Sequence, residues 1–223
     1  KSQNDIDETT DTWDTVDWIV KNVKNNNGNV GIFGISYPGF YSTMGIINAH
    51  PAVKAVSPQA PVTNWFIGDD FHHNGAFFLL DCFPFYYSFG QPRRELSRSG
   101  KPSFRWPVPD NYEFFLSLGA IKNIAPKYFG DSIKFWNDVF EHPDYDEFWK
   151  SRDPRPHLRN VKPAVMTVGG WFDAEDLYGA LQTYKAIETQ NPQSVTNHIV
   201  MGPWEHSQWA AGKAGNMGNI YFG

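Results

Sequence analysis

The stretch that decides the fold is "NVGIFGISYPGFYSTM", residues 29–44. Val30 to Ile35 form a short apolar run of the kind found in a strand buried on both faces. The residues after Ser36 are compatible with a helix, so Ser36 sits at an abrupt strand-to-helix turn. The general form of such a turn, G-x-S-x-G, would put glycine at position 38, where this chain has Pro38. Proline is well tolerated in the first turn of a helix, because its missing N–H is no loss there. With glycine at 34 and 39 to relieve crowding between strand and helix backbones, the turn is feasible. Two readings of Ser36 follow: an exposed nucleophile, or a serine that caps a helix.

Working outward, "TTDTWDTVDWIVKNVKNNNG" (9–28) puts Trp13, Val16, Ile19, Val20 and Val23 on one helical face. Thr or Asp residues can cap it and Asn27-Gly28 can stop it. On the other side, "FYSTMGIINAHP" (40–51) reads as a helix ended by Pro51, and "VKAVSPQAP" (53–61) as a second strand. Helix, strand, helix, strand implies a parallel sheet with crossover helices. Between 71 and 160 the rhythm changes. Aromatic segments such as "NGAFFLLDCFPFYYSFG" (74–90) and "NYEFFLSLGAIKNIAPKYFG" (111–130) alternate with Pro-rich loops, which suggests a largely helical insertion. The α/β pattern resumes in "KPAVMTVGGWFDAEDLYGALQTYKAIE" (162–188) and "SVTNHIVMGPWEHS" (194–207). The expected organisation is an α/β core over 1–70, a helical cap insertion over 71–160 and the rest of the core over 161–223. No internal repeat stands out.

Hydrophobic residues make up 41% of the 223 and charged residues 19%, the balance of a folded globular chain. Aromatics reach 17%, which fits either an aromatic core or an aromatic-lined pocket. The formal charge of −5 argues against nucleic acid, whose phosphates need clustered Lys and Arg. The basic stretch "PRRELSRSGK" (92–101) is short and reads as a solvated loop. The single cysteine, Cys82, excludes an internal disulfide and a Cys-based zinc site, and its apolar setting reads as a buried thiol. No run approaches the ~20 apolar residues of a membrane span. The ending "NIYFG" (219–223) reads as a strand entering further structure, so the chain reads as part of a longer protein.

A serine hydroxyl needs a histidine to take its proton and a carboxylate to hold that histidine's tautomer. In α/β hydrolases these follow in the order Ser, Asp or Glu, His, each after a strand. Here Ser36 follows "NVGIFG", Asp173 follows "AVMTVGGWF" and His206 follows "NHIVMGPWE". Taken singly, Asp173 could be a helix cap and His206 an ordinary core or surface histidine. Together, three side chains of the required types occupy three strand-end loops in the required order.

At these blocks the chain resembles a known group. "GISYPGFY" (34–41), "GDDFHHNGAF" (68–77), "GGWFDAEDLYGA" (169–180) and "GPWEHS" (202–207) are similar to blocks of α-amino-acid ester hydrolases. That group also holds cocaine esterase, Xaa-Pro dipeptidyl-peptidases and glutaryl-7-aminocephalosporanic acid acylases. Its elbow reads G-x-S-Y-x-G, so Pro38 falls on a variable position. The resemblance implies an α/β-hydrolase fold and a serine hydrolase without cofactor. It makes Ser36 the nucleophile, His206 the general acid/base, Asp173 the orienting carboxylate and the Tyr37 N–H an oxyanion donor. A second oxyanion donor, a tyrosine hydroxyl upstream of the elbow, and a C-terminal jelly-roll domain are expected outside these residues.

The resemblance also implies a cluster of three carboxylates for a substrate's α-ammonium group: Asp70, Glu175 and Asp176. Grouped carboxylates favour a cation and repel an anionic glutaryl group. The alternative is that Glu175 and Asp176 merely favour a helix N-terminus while Asp70 caps a turn. A metal site from "DAED" and "FHHN" is disfavoured, since adjacent His72 and His73 do not point the same way. The expected activity is cleavage or transfer of α-amino acyl groups of small esters or amides, including β-lactam side chains. Xaa-Pro dipeptidyl-peptidase or glutaryl acylase activity is the alternative, and a non-catalytic binding fragment a second. The expected partner is a small-molecule ester or amide, with neither nucleic acid nor membrane. A homo-oligomer stays open, and the resemblance hints at a periplasmic or secreted protein.

Overall fold

The computed structural model describes residues 7–92, 95, 100, 102–212 and 215–222. Helix α1 (Glu8–Asn22) leads into strand β1 (Val30–Ile35), helix α2 (Tyr37–Met44) and strand β2 (Val53–Gln59). A hairpin of β3 (His72–His73) and β4 (Ala76–Phe77) opens the central segment. Helices α3 (Leu79–Ser88), α4 (Asn111–Leu118), α5 (Lys134–Glu141) and α6 (Glu147–Lys150) follow. Strand β5 (Ala164–Gly170), helix α7 (Leu177–Gln190) and strand β6 (Asn197–Gly202) complete the sheet, and β7 (Asn216–Met217) pairs with β8 (Ile220–Tyr221). The main sheet runs β1-β2-β5-β6 with every pair parallel. This is the α/β-hydrolase arrangement: all four strands deliver their following loops to one edge.

Two cores hold these layers. Val16 of α1 and Ala186 and Ile187 of α7 meet Val53, Val56 and Val165 in an aliphatic core against one face of the sheet. The central segment has its own core, almost wholly aromatic, around Phe83, Trp136 and Trp149. Rings surround Phe83 at centroid distances of 4.8 Å (Phe104), 5.4 Å (Phe129) and 5.6 Å (Phe114). Each such ring buries roughly 150–250 Å² of surface, so few side chains suffice to hold four short helices together.

The structure corrects three expectations. β1 is not buried on both faces: Phe33 is 75% exposed, and Met166 and Val200 on the same side of β5 and β6 are 45% and 40% exposed. The apolar residues of α1 and α7 pack on the other face, and on this one the far end of β5 is still covered, Val168 being buried. In α1, Val16 alone is buried, while Trp13 and Val23 are exposed. The chain leaves the helix at Val23, which has extended backbone, so that residue does not continue the apolar face. The final strand expected at 219–223 is short: Ile220 and Tyr221 pair back on β7. The basic stretch 92–101 lies mostly outside the described residues.

Candidate active site

Ser36 sits between β1 and α2 with φ 68° and ψ −128°, a conformation costly for any residue with a Cβ. Its side chain makes no capping hydrogen bond, so the capping reading fails. Its amide donates to Gln59 O at 3.0 Å, tying the turn to the end of β2. The two flanking glycines are required sterically. A Cβ on Gly34 would lie 2.3 Å from Pro38 O, and one on Gly39 would lie 2.4 Å from Gln59 O. Pro38 stands in the first turn of α2, where it costs no hydrogen bond. Tyr37 begins α2, and the first N–H groups of a helix have no intrahelical acceptor. That amide is available to an oxyanion beside Ser36.

Asp173 and His206 come from the loops after β5 and β6. His206 Nδ1 donates to Asp173 Oδ2 at 2.9 Å. Asp173 Oδ1 accepts from the amides of Glu175 and Asp176, both at 2.9 Å, so the carboxylate is fixed from both sides. With Nδ1 committed as donor, Nε2 of the neutral ring is the free base. Burial would raise the Asp173 carboxyl, but the His206 bond and the two amides hold it below the usual range. Burial likewise works against the His206 cation, yet Asp173, Glu175 and Asp70 outweigh it and hold the imidazole above its ordinary value. The loop carrying His206 is anchored by Trp209 Nε1, which donates to Gln59 Oε1 at 2.8 Å. No hydrogen bond joins Ser36 to His206 among the described residues.

The carboxylates gather at the same edge. Asp70 has φ 48°, and its amide donates to Glu175 O at 3.2 Å, joining the β2 loop to the β5 loop. Asp176 is fully buried, and neither of its oxygens has a donor among the described residues. Its carboxyl meets that of Asp70, a contact that two anions can keep only through a shared proton or an outside cation. Burial, with Asp69 and Glu175 adding to it, pushes Asp70 up to about 7. Burial and the neighbouring anions raise Asp176 well above the carboxylate range, and burial raises Glu175. Glu175, Asp176 and His206 present oxygen and nitrogen atoms within 4.8 Å of one another. Since His206 Nδ1 is taken, an ion there would have to use Nε2, the nitrogen a serine needs.

A cavity of about 230 Å³ opens at this edge. Ser36, Tyr37, Asp70 and Glu175 line it from the core, and Asp81, Cys82, Pro84 and Phe85 from α3. Two residues here escaped the sequence reading. Asp69 is buried and accepts from Thr63 N, Thr63 Oγ1, Asn64 N and Gly179 N at 2.7–2.9 Å, fastening the Asp70 loop to α7. Only its adjacency to Asp70 in "GDD" marked it. Asp81 looked like an ordinary acidic residue in the first turn of a helix, and its facing the cavity needed the fold.

The family described as X-Pro dipeptidyl-peptidase (S15 family) matches residues 2–208. The chain belongs to this family. The family is one of hydrolases of the esterase and peptidase kind. Cocaine esterase of Rhodococcus sp. (strain MB1 Bresler) is 23% identical over 189 residues, 79% of this chain and 31% of that protein. Two solved structures are closer. An aminopeptidase from the marine sediment archaeon Thaumarchaeota archaeon superposes with a TM-score of 0.85 at 35% identity, covering 98% of this chain and 35% of its own. An α-amino acid ester hydrolase superposes with a TM-score of 0.81 at 34% identity, covering 92% of this chain and 33% of its own. The chain thus spans about a third of the length of these S15-like relatives.

Proposed function

We propose that this chain carries the catalytic centre of a serine hydrolase that removes α-amino acyl groups from small esters or amides through an acyl-enzyme. The observation that carries the reading is the meeting at one sheet edge of the Asp173–His206 pair, the Ser36 elbow and the carboxylates of Asp70, Glu175 and Asp176, beside a small cavity that Ser36, Asp70 and Glu175 line. Ser36 Oγ attacks the acyl carbonyl while its proton passes to His206 Nε2. The oxyanion is held by the Tyr37 N–H at the start of α2. His206 then protonates the leaving alcohol or amine, the acyl group stays on Ser36, and water activated by the same nitrogen releases it.

Asp70, Glu175 and Asp176 receive the substrate's α-ammonium. The raised carboxyls of Asp70 and Asp176 support this role, because an ammonium group would supply charge and donors to the buried Asp176. The names of the two structures described above, an aminopeptidase and an α-amino acid ester hydrolase, both concern substrates with a free amino group. A glutaryl group would bring a further anion to a cavity that already holds several. The dipeptidyl-peptidase reading draws support from the family name.

The test compares phenylglycine methyl ester with its N-acetyl derivative, using the full chain. A preference of about 100-fold or more for the free ammonium is expected in kcat/KM, the worth of a desolvated charge-assisted contact made in triplicate. Equal turnover of the two esters, or faster turnover of a glutaryl amide, contradicts the assignment.

A further inference from the structure

The cavity holds a carboxylate that the proposed mechanism does not use. Asp81 projects from the first turn of α3, so it reaches the cavity from the helical layer, whereas Asp70 and Glu175 come from the sheet loops. Among the described residues its carboxylate accepts no hydrogen bond and joins no ion pair. Burial raises it above the usual carboxylate range, and only the more distant charges of His206 and His73 work against that. No lysine or arginine lines the cavity. The rest of its lining from α3, Cys82, Pro84 and Phe85, is apolar, and Phe71 adds a further ring.

Resting on the reading above, we infer that Asp81 is a specificity-determining residue that receives a second positive charge, selecting α-amino acyl groups with a cationic side chain such as lysyl or ornithyl. The α-ammonium is served by the core carboxylates on one wall. A methylene stem crossing the apolar surface of Phe71, Pro84 and Phe85 then carries its charged head to Asp81 on another. Long cationic side chains bind in this way, stem on apolar surface and head on an acceptor. The volume of about 230 Å³ suits one such amino acyl group. Two cations in the same cavity also compensate more of its negative charge than one does.

The experiment measures kcat/KM of the full chain for lysine methyl ester and norleucine methyl ester, which share a stem and an α-ammonium but differ at the side-chain terminus. The wild type is expected to prefer the lysine ester by about 10- to 100-fold, the worth of one partly desolvated charge contact. Asp81→Asn should abolish that preference by loss on the lysine ester, with the norleucine ester held within about threefold. Asp81→Glu should keep it. A wild type that does not distinguish the two esters overturns the inference. So does an Asp81→Asn variant that loses equally on both, which would make Asp81 a fourth arm of the α-ammonium site. Turnover of norleucine ester without a lysine preference leaves the α-amino acyl reading intact, whereas turnover of neither ester sinks both.

Discussion

Replacing Asp70 by asparagine should make the protein more stable and less active. Asn keeps the shape of the side chain and removes the charge that faces Asp69, Asp176 and Glu175. The folded carboxyl titrates at about 7 against an ordinary 3.8, so folding favours its protonated form. The stability this gives is complete below 3.8 and is lost as pH rises through about 7. At pH 8 the ionised group works against the fold. The full shift corresponds to about 4 kcal/mol. Solvent reaching the cavity screens part of it, leaving about 1–3 kcal/mol for Asp70→Asn to recover. For a chain of this size that is a rise of roughly 2–10 °C in Tm, read by thermal melts across pH. The gain should shrink as pH falls and vanish only well below 3.8, where Asp70 carries its proton in both states. In the same variant kcat/KM for phenylglycine methyl ester should fall about 10- to 1,000-fold through the lost ammonium contact, with the N-acetyl ester unaffected. A lower Tm at pH 8, or equal losses on both esters, would refute the argument that this carboxylate is held at a structural cost for the sake of a cation.

Asp173→Asn should keep both loop amide bonds on Oδ1 but turn an N–H toward His206 Nδ1, forcing the ring proton onto Nε2 and removing the base. The expected loss in kcat is about 10³- to 10⁴-fold with Tm little changed, and a loss below tenfold in steady-state assays contradicts the role. Phe83→Ala, at the fully buried centre of the aromatic core, should cost about 3–5 kcal/mol and lower Tm by at least about 6 °C. A Tm within 2 °C of wild type would mean that the helical layer does not depend on this packing.

Much of the α/β core was legible because its signals are local. The apolar run at β1, the glycines at 34 and 39, and the strand-loop-helix of β5 and α7 each follow from short-range backbone requirements, and together they order Ser36, Asp173 and His206. The faces were less legible. Nothing in "VGIFGI" says whether Phe33 meets a helix or solvent, because that depends on elements distant in sequence. The 71–160 segment gave composition without position, since rings recur too densely there to mark one helical face. One signal in it was readable and passed over. "HHNGAF" carries Asn74-Gly75, both with positive φ, at the turn of the β3–β4 hairpin. Asp81 shows the limit. Its residue type and helix position are ordinary, and only the arrival of α3 over the sheet edge gives its carboxylate a purpose.

The most direct measurement is covalent labelling of the full chain with a fluorophosphonate, followed by peptide mass spectrometry. The account expects one stoichiometric adduct on Ser36, absent in Ser36→Ala and formed at least about 100-fold more slowly in Asp173→Asn. An adduct on another residue, or a Ser36→Ala variant that still hydrolyses amino-acid esters at the wild-type rate, would contradict it.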